Sequence, residues 1–175
     1  MMWQIMTGSY YRVSPDQGET MSSSLTGKLE AYVEVKASAE MFMDMLCNRP
    51  HHVSNACSDK VQACDLHAGD WGKEGSIICW SYVHDGEAKI GKEIIESIDP
   101  KNHSITLRLI EGDLLKEYKS FVVKVQATPS PKGEGCVAHW VTEYEKLNED
   151  VAHPETLMEL LAGICKDMDT HLTQA

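Results

Sequence analysis

The stretch GDWGKEGS, residues 69–76, places Gly69, Gly72, Gly75 and a tryptophan within eight residues. Glycine at that density lets backbone amides approach a phosphate closely, so the first chemistry to weigh is nucleotide binding. The residues argue against it. A P-loop ends in Gly-Lys-Ser/Thr, and here Gly75 is followed directly by Ser76. A dinucleotide loop opens a helix, whereas this one leads into SIICWSYV, whose β-branched and aromatic residues read as a strand. Asp70 and Glu74 would also repel phosphate. On its residues alone the stretch is a glycine-bent hairpin loop.

The other chemistry-bearing residues are dispersed. The eight histidines form no HExxH motif and no His–Cys pair at ligand spacing, so no metal site is expected. Six cysteines, at 47, 57, 64, 79, 136 and 165, contain no CxxC pair. Cys79 and Cys165 lie in apolar runs, where a thiol packs as a small hydrophobe, and six reduced thiols are expected. Glu143, Glu145, Glu149 and Asp150 are read as a solvated face, although paired carboxylates in a buried setting can do acid/base work. His139, Val141 and Glu143 share one strand face; Ala138, Trp140, Thr142 and Tyr144 share the other. The residues leave open which of the two faces inward, because a bulge shifts the register.

The elements that must position these groups follow from periodicity. Residues 26–36 alternate, with Leu29, Ala31, Val33 and Val35 on one face. Ser38 is a helix N-cap for AEMFMDMLCN, which Pro50 ends, and a second short helix or turn follows at 52–58. Strands are expected at 60–66, 76–83, 88–98, 104–111, 116–128 and 136–146, with HDG at 84–86 as a hairpin turn. A long helix begins near Pro154, with Leu157, Leu160, Leu161, Ile164, Cys165, Met168 and Leu172 in one stripe. The order β, two short α, six β, long α predicts an α+β fold: a seven-stranded antiparallel sheet, curved around one amphipathic helix. A curved sheet closes poorly on a straight rod, so a cavity between them is expected.

The bulk numbers agree with one domain. A chain of 175 residues with 42% apolar and 25% charged residues builds an ordinary core. The net charge of −11 disfavours nucleic acid and anionic membrane as partners, and no run of 18 apolar residues could span a membrane. Residues 1–24 show no strand or helix pattern and are expected to be a disordered extension, leaving residues 25–175 as the folded domain.

Seven ordered strings, LTGKLE at 25–30, RPHHV at 49–53, GDWGKEGS at 69–76, YVHDGEAK at 82–89, IEGDLLKEYKSF at 110–121, HWVTEYEKL at 139–147 and VAHPETL at 151–157, together resemble the major latex protein family within the Bet v 1-like superfamily of plants. The resemblance implies the helix-grip (START-like) fold and a large internal cavity for apolar ligands such as sterols, fatty acids or plant metabolites. It also implies a cytoplasmic protein in defence and stress responses; a monomer with no cofactor and no metal is expected. The glycine-rich loop becomes a rigid bend near the cavity rim.

The candidate ligand-binding residues are Ile78, Trp80 and Tyr82 on one strand and Ile90 on the next. Ile105, Leu107 and Leu109 follow, then Phe121, Val123 and Val125. His139 and Val141 come from the last strand, and Leu157, Leu160, Leu161 and Ile164 from the long helix. Two alternatives stay open. One is an acid/base enzyme using His139, Glu143 or Tyr82, as superfamily members do in alkaloid pathways. The other is a ligand-dependent signalling partner.

Overall fold

Alternation in residues 26–35 gives a strand whose buried side is Gly27, Leu29, Ala31, Val33 and Val35 and whose other side stays partly exposed. In the computed structural model, which describes residues 3–6 and 9–14 by their backbone and residues 25–174 in full, this strand is β3 (Thr26–Val35). Two strands precede it, β1 (Trp3–Met6) and β2 (Ser9–Ser14), and six follow: β4 (Val61–Ala68), β5 (Ile77–His84), β6 (Glu87–Asp99), β7 (Ser104–Gly112), β8 (Tyr118–Pro129) and β9 (Cys136–Lys146). They form one antiparallel sheet in the order β1-β2-β3-β9-β8-β7-β6-β5-β4. The helices are α1 (Ala39–Asn48), α2 (Val53–Ala56) and α3 (Glu155–Thr173). The α+β expectation and its seven strands are thus met by β3–β9.

The expectation that residues 1–24 are disordered does not describe 3–6 and 9–14. The backbone of β2 pairs with β3 from Ser9↔Val33 to Ser14↔Lys28, and β1 pairs with β2. The physical reason is the free edge of β3, whose unpaired N–H and C=O groups template a further strand. Residues 1–2, 7–8 and 15–24 lie outside the described residues.

Local chemistry sets the turns. Ser38 caps α1, its Oγ accepting from the Met41 N–H at 3.1 Å. Asp85 (φ 51°) and Gly86 (φ 77°) form the two-residue turn between His84 and Glu87, the left-handed pair that a tight hairpin requires. Register shifts interrupt β4–β5, β6–β7 and β8–β9. Each such bulge bends its strand, and together they curl the sheet. The concave face receives α3, whose Leu157, Met158, Ala162, Ile164, Cys165 and Met168 are buried. Each of the larger ones contributes roughly 1.5–3 kcal/mol by leaving water.

Polar contacts hold α3 at both ends. Before its first turn, Tyr118 Oη donates to the Ala152 carbonyl at 2.7 Å, and Tyr144 Oη hydrogen-bonds His153 Nδ1. Thr156 Oγ1 lies 2.8 Å from His84 Nε2 and donates to Asp85 Oδ2 at 3.1 Å, tying the helix to the β5–β6 hairpin. Towards the other end, Lys60 Nζ donates to Asp167 Oδ2 at 2.7 Å. The Asp169 carboxylate accepts from the Lys36 and Ala37 backbone N–H groups, both at 2.9 Å. Asp169→Ala leaves the Ala37 donor without its acceptor in a partly buried position, which costs about 1–3 kcal/mol. The expected outcome is a lower urea midpoint with an unchanged m-value; Lys124→Ala, on the exposed face, is the control with little effect.

Candidate functional site

Between α3 and the concave sheet lies a pocket of about 100 Å³. Strand alternation decides who reaches it. On β5 the inward side carries Trp80 and Tyr82; on β7 it carries Leu107 and Leu109; on β8, Phe121 and Val123. Leu157, Leu160, Leu161 and Ile164 close the opposite wall from α3, one helical face meeting the sheet. Leu46 and Val53 from the short helices, Val61, Gly91, Leu114 and Trp140 complete the apolar lining, and Glu93 is its one ionisable carboxylate.

Ten of the residues expected from the sequence stand on this wall: Trp80, Tyr82, Leu107, Leu109, Phe121, Val123, Leu157, Leu160, Leu161 and Ile164. Ile78, Ile105 and Val125 are buried in the core without reaching the pocket. Three expectations are corrected. Ile90 is 54% exposed, because the inward parity of β6 is that of Gly91, Glu93 and Ile95. His139 and Val141 take the outer face of β9, since Ala138, Trp140, Thr142 and Tyr144 point inward at 4% exposure or less. His139 stacks on Tyr32 with ring centroids 4.2 Å apart, and its Nε2 lies 3.3 Å from Glu30 Oε1. Glu143 is also outside, 3.1 Å from Lys124 Nζ.

The glycine-rich loop does not line the pocket either, so its place at the rim is a further correction. It packs instead on the end of α1. Trp71 stacks on His51 with centroids 4.3 Å apart, and a Cβ on Gly72 would fall 2.3 Å from Asn48 Oδ1. Three of the loop amides are tied down: Asp70 N–H donates to Ser76 Oγ at 2.9 Å, Gly75 N–H to the Ile95 carbonyl at 2.8 Å and Ser76 N–H to the Lys73 carbonyl at 3.2 Å. Glu74 Oε1 accepts from the Ile98 N–H at 2.9 Å. The loop is a staple between the sheet and α1.

Glu93 is the residue that sequence reasoning missed. It sits at the first β6–β7 bulge, opposite Ile78 on β5 and Leu109 on β7. As a residue it is only partly enclosed, yet its Oε2 is closed off from solvent and has no hydrogen-bond partner among the described residues. Burial pushes its carboxyl up to about 7, an effect that the neighbouring Trp80 indole partly offsets. Tyr82, also on the wall, has its phenol pushed well above its ordinary value by burial, with Asp113 and Glu93 adding to it. No signal in AKIGKEIIESI marks Glu93 as inward, because isoleucines occupy both parities of this strand.

The buried cysteines are poor nucleophiles. Burial raises Cys47 and Cys165 to about 12 and Cys57 and Cys136 to about 11, so thiolate is scarce at neutral pH.

The pocket's carboxyl sets a pH dependence. Its folded value lies above the 4.5 of an ordinary glutamate. The folded state therefore holds the proton more tightly, and this contribution is fully present below pH 4.5 and is lost as pH rises through 7. A Glu93→Gln variant removes it. Urea unfolding of both proteins at pH 5 and pH 8 is expected to show Glu93→Gln gaining on the parent by on the order of 3 kcal/mol at the higher pH.

Residues 24–175 match the Pathogenesis-related protein Bet v 1 family. The chain is 58% identical to MLP-like protein 31 of Arabidopsis thaliana over 151 residues, covering 86% of this chain and 88% of that protein. It is 56% identical to MLP-like protein 28 of the same plant over 88% of this chain, but spans only 46% of that protein's length. A crystal structure of ginseng major latex-like protein 151 from Panax ginseng superposes with a TM-score of 0.82 at 37% identity, covering 86% of this chain and 99% of the ginseng chain.

Proposed function

The chain belongs to the Bet v 1 family, and from that premise we propose that residues 25–175 bind and carry hydrophobic small molecules in the pocket between α3 and the sheet. The observation that carries this reading is the wall itself: aliphatic and aromatic side chains from β5, β7, β8 and α3 converge on one space. Sterols, fatty acids and apolar plant metabolites are the ligand classes of this reading, and defence or stress is its setting. The resemblance supports a cytoplasmic monomer, and the net charge of −11 favours copies that repel one another. An acid/base enzyme loses support, since His139 and Glu143 face outward and only Tyr82 of its three candidates stands on the wall.

The volume sets a condition. Pockets that hold drug-sized ligands span roughly 300–1,000 Å³, and this one is about 100 Å³. A ligand enters by displacing Leu160 and Leu161, the half-buried members of the α3 wall. Burying about 300 Å² of apolar ligand surface gains roughly 7 kcal/mol, from which several kcal/mol of lost freedom are subtracted. Micromolar or weaker affinity follows, of the order of 10⁻⁶ M or above.

Titration with Nile red, a neutral apolar fluorophore, tests the reading. Saturable binding is expected in the parent. Leu161→Trp, which fills the pocket, is expected to weaken it about ten-fold or more with little change in Tm. Equal binding by the two proteins would place the ligand elsewhere.

A further inference from the structure

The pocket offers an acceptor where an apolar ligand needs none. Glu93 Oε2 is closed off from solvent, lines the pocket and has no hydrogen-bond partner among the described residues. Buried polar groups are nearly always satisfied, and an exception inside a cavity calls for a partner that arrives with the occupant. The Trp140 indole, although Trp140 also lines the pocket, is directed at the Cys165 thiol. Glu93 is therefore the pocket's polar handle.

Its surroundings select the partner's chemistry. Among the described lining residues there is no Lys, Arg or His, so a ligand carboxylate would find no counter-charge and would meet Glu93 instead. Trp80 and Tyr82 stand on the same wall, and the Trp80 indole N–H donates to the Glu93 carboxylate, which leaves Oε2 as the oxygen open to an incoming donor. The overall charge of −11 steers cations towards the protein and carboxylates away.

Resting on the pocket reading above, we propose that the preferred occupant is an apolar molecule ending in a protonated amine, with its ammonium seated on the Glu93 carboxylate beside Trp80 and Tyr82. The ammonium supplies the missing donor, and the apolar body covers the α3 leucines. This narrows the ligand range, disfavouring fatty acids bound with the carboxylate inward.

A matched set of decylamine, decanol and decanoic acid tests it by calorimetry on the full chain and on Glu93→Gln. Decylamine is expected to bind the parent at least about ten-fold more tightly than decanoic acid, and Glu93→Gln is expected to lose about ten-fold for decylamine while decanol changes little. A pH series gives a readout independent of the variant's folding. The groups facing Glu93 are Tyr82 from β5 and Cys64 from β4, both held neutral by burial, while α3 presents only aliphatic side chains. Decylamine affinity is thus expected to rise by up to about ten-fold per pH unit between pH 5 and 7 and then level off, with decanol flat throughout. Equal amine binding by Glu93→Gln, or decanoic acid as tight as decylamine, overturns this inference and leaves the apolar pocket standing. Failure of all three compounds to bind overturns the pocket reading with it.

Discussion

One helix of 19 residues has to cover the concave face of a sheet to which β3–β9 contribute seven strands. This mismatch between a straight rod and a curved surface shapes the rest of the molecule. Where the two touch, on the β3 and β9 side, Met158, Ala162, Cys165 and Met168 pack to 2% exposure or less. Where they diverge, Leu157, Leu160, Leu161 and Ile164 face β5, β7 and β8 across the pocket. The rod cannot be held there by apolar contact alone, since hydrophobic attraction has no direction. Directional contacts at its ends do that work: Thr156 with His84 and Asp85, His153 with Tyr144, Asp167 with Lys60 and Asp169 with two backbone amides.

Curvature has a second consequence at β6. The second register shift, at Ile95/Ser97, also resets which side chains of this strand point inward. Odd positions Gly91, Glu93 and Ile95 face the helix before the second register shift, and Ile98 packs against the core after it. Glu93 reaches the pocket because it shares the inward parity of Gly91 and Ile95. The same bend is braced by the glycine-rich loop, whose Gly75 and Ser76 backbone groups pair with Ile95 and whose Glu74 holds the Ile98 amide. A loop that looks like a ligand cradle in sequence is a brace for the strand that carries the pocket's only carboxylate among the described residues.

Legibility varied with the strength of the periodic signal. Strand β3 and helix α1 were readable to within a residue or two because Leu29–Val35 alternate cleanly and Ser38 supplies a cap. Four wall residues on α3 were readable because a helical stripe survives any small shift of its ends. His139 and Val141 were misplaced for the opposite reason. Strand β9 is central in the sheet and its alternation breaks at Trp140, Val141 and Thr142, all buried, so the outer-face Val141 reads like an inward residue. Ile90 was misplaced because β6 carries isoleucine at both parities.

The sequence by itself determined the elements from β3 to α3, their order, the antiparallel class and the failure of GDWGKEGS as a phosphate loop, because these depend on neighbours along the chain: caps, turns, periods and the residue after Gly75. Only the tertiary structure decided which face of β6 and β9 meets the helix, how little volume remains inside, and that the Oε2 of Glu93 has no partner among the described residues in an apolar pocket. A strand's inward parity flips with a single bulge. The desolvation of a carboxylate is set by side chains from β5, β7 and α3 that lie far from it in sequence, so no local pattern in the chain could have encoded it.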